Sequence, residues 1–333
     1  MQQPVYYAPV QPPKWADPAR LEQKELRRAA SRLSFATMTS LPIQVLWTTL
    51  ATLILTVCGV NFMGPNTIGD FPPTAYYLIS SIASFLSIVL PFSFFLFFGK
   101  RKLSDTVLVE KNGVLNSVLL VFAGLAVSVL MNIPANLISQ LLEGAGLNGD
   151  ANTADLLALT PVQALTMFVS VVLVAPVTEE FAFRSVTTAV MRRWGDWPAV
   201  IFSALIFGMA HYSIQSLPVV LMAGFVMALL YVRTRNIWVN IFVHMLNNLL
   251  ATLPIALEGL VGADAANIAS NLLTYIVYGL GLIALVVLLI RNFTGHKVFR
   301  TPMQRGVPVR GKALWMFCLL YTSPSPRDTE RSR

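Results

Sequence analysis

A chain of 333 residues that is 55% hydrophobic and 12% charged is too apolar for a soluble domain of its size. Its net charge of +8 is dispersed over several short segments, which argues against nucleic acid as a partner. Two cysteines, Cys58 and Cys318, suggest no disulfide framework.

Residues 1–40 form a cytoplasmic preface. Tyr, Pro and Gln dominate 1–18, which predicts disorder, and the basic stretch 20–34 predicts a short helix resting on anionic lipid. No cleavable signal peptide is visible, because the first apolar run starts late and has full spanning length. Eight apolar runs follow, near 41–62, 75–98, 114–137, 160–182, 198–214, 217–232, 237–256 and 272–290. Most approach the ~20 residues that cross a hydrocarbon core. The fifth and sixth are short. The runs lack period-2 alternation, which favours helices over a β-barrel. Lys and Arg recur in every second connection, at Lys100–Lys102, Arg192–Arg193, Arg233, Arg235 and after Arg291, while the alternate connections hold none. The positive-inside rule then places both termini in the cytoplasm. The expected fold is all-α, a polytopic membrane helix bundle of about eight transmembrane helices over 41–292. The expected location is the cell membrane, of bacterial inner-membrane type. No internal repeat is evident.

Residues 293–317 predict a cytoplasmic segment in which Ala313–Phe317 begins a further, truncated span. Cys318–Arg333 resembles a translated sequencing adapter and is read as non-native.

Ionisable side chains at membrane depth are costly, and a cluster of them marks a functional site. Glu179, Glu180, His211 and His244 fall inside apolar runs, and Arg184 follows four residues after Glu180. Gly195 marks the turn between the fourth and fifth runs, with Glu179 sixteen residues before it and His211 sixteen after. At ~1.5 Å per residue both reach roughly 20 Å from that turn. Asn248, thirteen residues after Arg235, reaches a similar level, with His244 one turn nearer the cytoplasm. Glu180 and Arg184 are an i, i+4 pair, as are Phe207 and His211, and His244 and Asn248. Glu179 points about 100° away from Glu180 and is left to face a cavity. Pro176 predicts a kink beside the glutamates.

Such a set suits acyl hydrolysis. A carboxylate and an imidazole can take the proton of an attacking water. A second imidazole and a carboxamide can donate to the developing oxyanion. Glu179, His211 and His244 also form a His₂Glu set with an open position, which suits zinc, although no HExxH is present.

The order EExxxR, FxxxH, HxxxN resembles the CAAX prenyl protease and bacteriocin-processing family, also called CPBP or Abi. Here it reads Glu179-Glu180-Phe-Ala-Phe-Arg184, Phe207-Gly-Met-Ala-His211 and His244-Met-Leu-Asn-Asn248, within about 160–255. The resemblance implies an intramembrane endopeptidase acting on a peptide or lipidated protein, and in bacteria a link to bacteriocin immunity. It implies that Glu179 and His211 activate water, that His244 and Asn248 stabilise the oxyanion, and that Glu180, Arg184 and Phe207 support the site. The family has been described both as metalloproteases and as metal-free glutamate proteases. The residue roles are complete without a cofactor, so none is favoured, with zinc the alternative.

Plainer readings stand beside these. Glu180 with Arg184 is explained by a buried ion pair, Asn248 by an interhelical hydrogen bond, and Phe207 by packing. Trp194, Trp197 and Trp238 read as interface anchors, His296 as solvated, and 143–157 as a linker. The competing functions are a proton-coupled transporter, which inverted repeats would favour, and a non-catalytic membrane scaffold or immunity protein.

Overall fold

The computed structural model describes residues 18–60, 67, 68, 71–147, 159–296 and 298–301. The expectations for residues 1–17, most of 143–157, Ala313–Phe317 and Cys318–Arg333 lie outside them. The described residues are almost wholly helical, and the β pairing among them is two isolated bridges. Nine helical runs follow in order: α1 Pro18–Met38, α2 Ser40–Val57, α3 Pro73–Phe98, α4 Val114–Gly144, α5 Pro161–Trp194, α6 Asp196–Met209, α7 Leu217–Thr234, α8 Ile237–Val261 and α9 Ala263–Arg291.

Among the described residues seven helical runs are long and apolar enough to cross a membrane, α1 and α2 counting as one run from Arg20 to Val57. The chain is a multi-pass membrane protein. The fifth expected span, 198–214, is instead the 14-residue helix α6. At ~1.5 Å per residue it is about 21 Å long, short of a ~30 Å hydrocarbon core. The belt of exposed Leu46, Phe97, Ile133, Leu165 and Ile283 is the lipid-facing surface of such a bundle.

The helix expected over 20–34 is present within α1, and its apolar face packs on the bundle. Leu26, Ala30 and Leu33 of α1 are fully buried in a cluster with Phe92, Met191 and Trp194, and Arg193 pairs with Glu25. Apolar residues at i, i+4 and i+7 gave α1 a stripe wide enough to pack on the bundle. Beside it, Arg101 is held below the ordinary arginine range by partial burial, then by the charges of Arg193 and Arg32. Trp194 is no interface anchor, being 3% exposed in the same cluster, whereas Trp197 and Trp238 are exposed.

The basic connections meet at one end of the bundle. The turn between α5 and α6 is pinned by Arg192 Nε donating to Asp196 Oδ1 at 2.8 Å, and Gly195 takes φ +116° there. The 103–110 connection is clipped to the α7–α8 turn: Leu108 N–H donates to the Tyr231 hydroxyl, which donates to Thr106 O. Glu110 pairs with Arg235 and Arg300. At the other large contact, α4 crosses α9 at Gly281, where a Cβ would stand 2.5 Å from the Phe122 carbonyl oxygen. Only glycine permits that approach.

Candidate active site

The glutamates sit between two widened turns of α5. Residues Phe168–Val174 and Phe181–Thr188 are π-helical, and Ala175–Glu180 is the α-helical piece between them. In the first π turn Ala175 N–H reaches back five residues to Ser170 O. The same register would give Val171 O to residue 176, but residue 176 is proline and has no N–H. The carbonyl is instead taken by Asn248, whose Nδ2 donates to Val171 O at 2.9 Å. In the second π turn Thr187 and Thr188 hydroxyls donate to the carbonyls five residues back, and Ser203 adds a bond to Phe183 O at 2.8 Å. Each widened turn leaves backbone acceptors that side chains satisfy.

The two glutamates have different surroundings. Glu180 is fully buried. Its Oε2 lies 3.2 Å from Arg184 Nε and accepts from Asn240 Nδ2 at 3.3 Å, and its Oε1 lies 3.0 Å from His244 Nδ1. The Arg184 guanidinium is close to the carboxylate but badly aligned, so among the described residues none of its nitrogens makes a directed hydrogen bond. It lies over the Phe207 ring at 4.5 Å, which adds a cation–π contact. Glu179 is 16% exposed and its Oε2 stands 3.7 Å from His244 Nε2. His244 thus bridges the pair, one ring nitrogen to each carboxylate.

His211 is not inside a helix. α6 ends at Met209, and His211 follows in a turn where Tyr212 takes φ +52°. It was expected within the apolar run, but the chain must reverse here to reach α7, and Tyr212 anchors that reversal by its hydroxyl against Ser40 Oγ at 2.6 Å. His211 Nδ1 lies 2.9 Å from Phe207 O. If Nδ1–H donates there, Nε2 is left as an acceptor. The Phe207 ring touches the rings of both His211 and His244, and Gly224 of α7 gives it room, since a Cβ there would be 2.8 Å from Phe207 Cδ1.

Glu179 and His211 line one cavity of about 180 Å³, walled also by Ser40, Gln44, Ser84, Ser87 and Tyr212. Five of the seven expected residues, Glu179, Glu180, Arg184, Phe207 and His244, form one contact network, and His211 joins them through Phe207 and the cavity. Asn248 stands apart on the Val171 carbonyl, with Asn247 Nδ2 donating to its Oδ1 at 3.4 Å. The His₂Glu set of Glu179, His211 and His244 is not gathered as metal ligands. Among the described residues no three of His, Cys, Asp and Glu stand together as a metal-holding group. Asn240 was missed. It is fully buried, donates to Glu180 and to Met227 O at 2.6 Å, and lies four residues before His244 on the same helix face. That spacing was the available signal.

Fold and site together define a multi-pass membrane protein with two carboxylates, two imidazoles and an arginine held among its helices. Residues 161–250 match the family described as type II CAAX prenyl endopeptidase Rce1-like. A relative in Bacillus subtilis (strain 168), named "Putative membrane peptidase YdiL", is 31% identical over 140 residues, 42% of this chain. The match covers 57% of that relative's length. No solved structure matches the chain.

Proposed function

We propose that the protein is an intramembrane endopeptidase that hydrolyses a peptide bond in a peptide or lipidated protein presented from the membrane. The observation that carries this reading is that Glu179 and His211 face one polar cavity while Glu180 holds His244 toward Glu179. Water in that cavity attacks the scissile carbonyl carbon. Its proton passes to the Glu179 carboxylate or His211 Nε2, whose other nitrogen is tied to Phe207 O. The tetrahedral oxyanion takes hydrogen bonds from His244 Nε2–H and from the second Nδ2–H of Asn248. Collapse breaks the C–N bond, and the stored proton leaves with the amine.

Glu180, Arg184 and Asn240 act as supports. They fix the orientation of His244 without touching the reacting atoms. The chemistry is complete without a metal, and the family match over 161–250 agrees with hydrolysis in general. The basic end of the bundle is assigned to the cytoplasm by the positive-inside rule.

The test uses the purified full chain in detergent against an internally quenched peptide library. Glu179→Ala and His211→Ala are each expected to lower cleavage by ~10²–10⁴-fold with unchanged thermal unfolding. Wild-type cleavage by both variants would refute the reading.

A further inference from the structure

The family match ends at 161–250, yet the far wall of the cavity comes from α2 and α3. From these helices Gln44, Ser84 and Ser87 face Glu179 and His211. In a membrane helix a serine or threonine hydroxyl normally bonds back to its own helix. Thr48, Thr49, Thr52 and Thr56 of α2 do so, as does Ser81 of α3. Among the described residues the side chains of Gln44, Ser84 and Ser87 make no such bond, although Ser87 is only 3% exposed. Polar groups at that depth carry a desolvation penalty unless something else satisfies them.

Ser87 also sits in a third π turn, Phe85–Val89, whose register aims it at the cavity beside the glutamate-bearing helix. π turns interrupt helices mostly at functional sites. Two of them line this one space, Phe85–Val89 through Ser87 and Ile88 and Phe181–Thr188 through Phe183.

Resting on the proteolytic reading, we infer that Gln44, Ser84 and Ser87 form a peptide-binding wall that holds the main chain of an extended substrate against Glu179 and His211. A carboxamide offers one donor and one acceptor in the plane needed to pair with a peptide group. The hydroxyls can bond a neighbouring carbonyl or N–H. The ligand class is the amide backbone of an unfolded segment, read with little regard to side chains. A cavity of about 180 Å³ is far larger than one water requires.

The experiment measures kcat and KM for the best-cleaved peptide of a quenched library with the full chain. Gln44→Leu and the pair Ser84→Ala with Ser87→Ala should each raise KM about tenfold while leaving the pH profile of kcat in place. Gln44→Asn, which keeps the amide, should recover part of the loss and guards against a folding artefact. In a second arm the peptide amides are N-methylated one at a time. One position should weaken wild type about tenfold and Gln44→Leu not at all. Unchanged KM in all three variants, or a methylation penalty that is the same in wild type and Gln44→Leu, would overturn the inference and leave the proteolytic reading standing. Wild-type rates in Glu179→Ala, or no cleavage of any library member by wild type, would overturn both.

Discussion

Asn248 offers the sharpest test of how this site is built. Its amide satisfies Val171 O, a carbonyl left open because the π register passes it to Pro176. Asn248→Ala removes the donor and strands a part-buried acceptor, a loss of ~1–3 kcal/mol in general. Interhelical hydrogen bonds in membranes average about 0.6 and reach about 1.7 kcal/mol, so a loss of roughly 1–2 kcal/mol is expected here. Pro176→Ala restores an N–H at the position the register needs. In the double variant Asn248→Ala with Pro176→Ala the loss should shrink to a few tenths, giving a coupling of about 1 kcal/mol. The assay is reversible unfolding in mixed micelles, followed by circular dichroism, for wild type, both single variants and the double. Additive single effects would refute the account. Cleavage provides an independent readout: a double variant that regains stability but not activity would assign Asn248 to the substrate as well as to the fold.

Arg184→Ala is expected to destabilise the bundle by ~3–5 kcal/mol, because it leaves Glu180 fully buried with only His244 and Asn240 as partners; the same unfolding assay reads it. Arg184→Lys should recover little of this, since an ammonium lacks the planar face that covers Phe207. Gly224→Ala should cost ~1–3 kcal/mol and lower cleavage together, as its methyl group displaces the Phe207 ring against both histidines. Cleavage is expected to survive a strong chelator, with elemental analysis of the purified protein finding no stoichiometric transition metal. Loss on chelation with recovery on adding zinc would refute the metal-free account.

Much of this was legible because hydropathy is a bulk property. Runs such as 75–98 and 114–137 reappear as Pro73–Phe98 and Val114–Gly144. The approach of Glu180 to Arg184 follows from four-residue spacing. The end of α6 was not legible, since residues 210–214 continue the apolar run and only the reversal at Tyr212 stops the helix. The π turns were equally hidden. They rest on backbone register, and Pro176 was their one visible trace, read as a kink. The packing of α1 on the bundle was missed because its arginines outweigh its apolar stripe in any average. The cavity wall of Gln44, Ser84 and Ser87 needed three-dimensional proximity across more than ninety residues of sequence.

The π turn at Phe168–Val174 sets the angular phase of everything after it along α5. A π turn absorbs about one residue more than an α turn, so excising one residue there would restore ordinary winding and leave Glu179 near its present bearing. Losing a residue from the α-helical piece that follows, between Ala175 and Thr178, would instead swing the acid by about 100°, more than a quarter turn. Neither hydropathy nor span length would register the difference. Single-residue deletions inside the π turn should therefore be far less damaging than those just after it, a pattern that distinguishes a helix whose phase is tuned from one that merely spans.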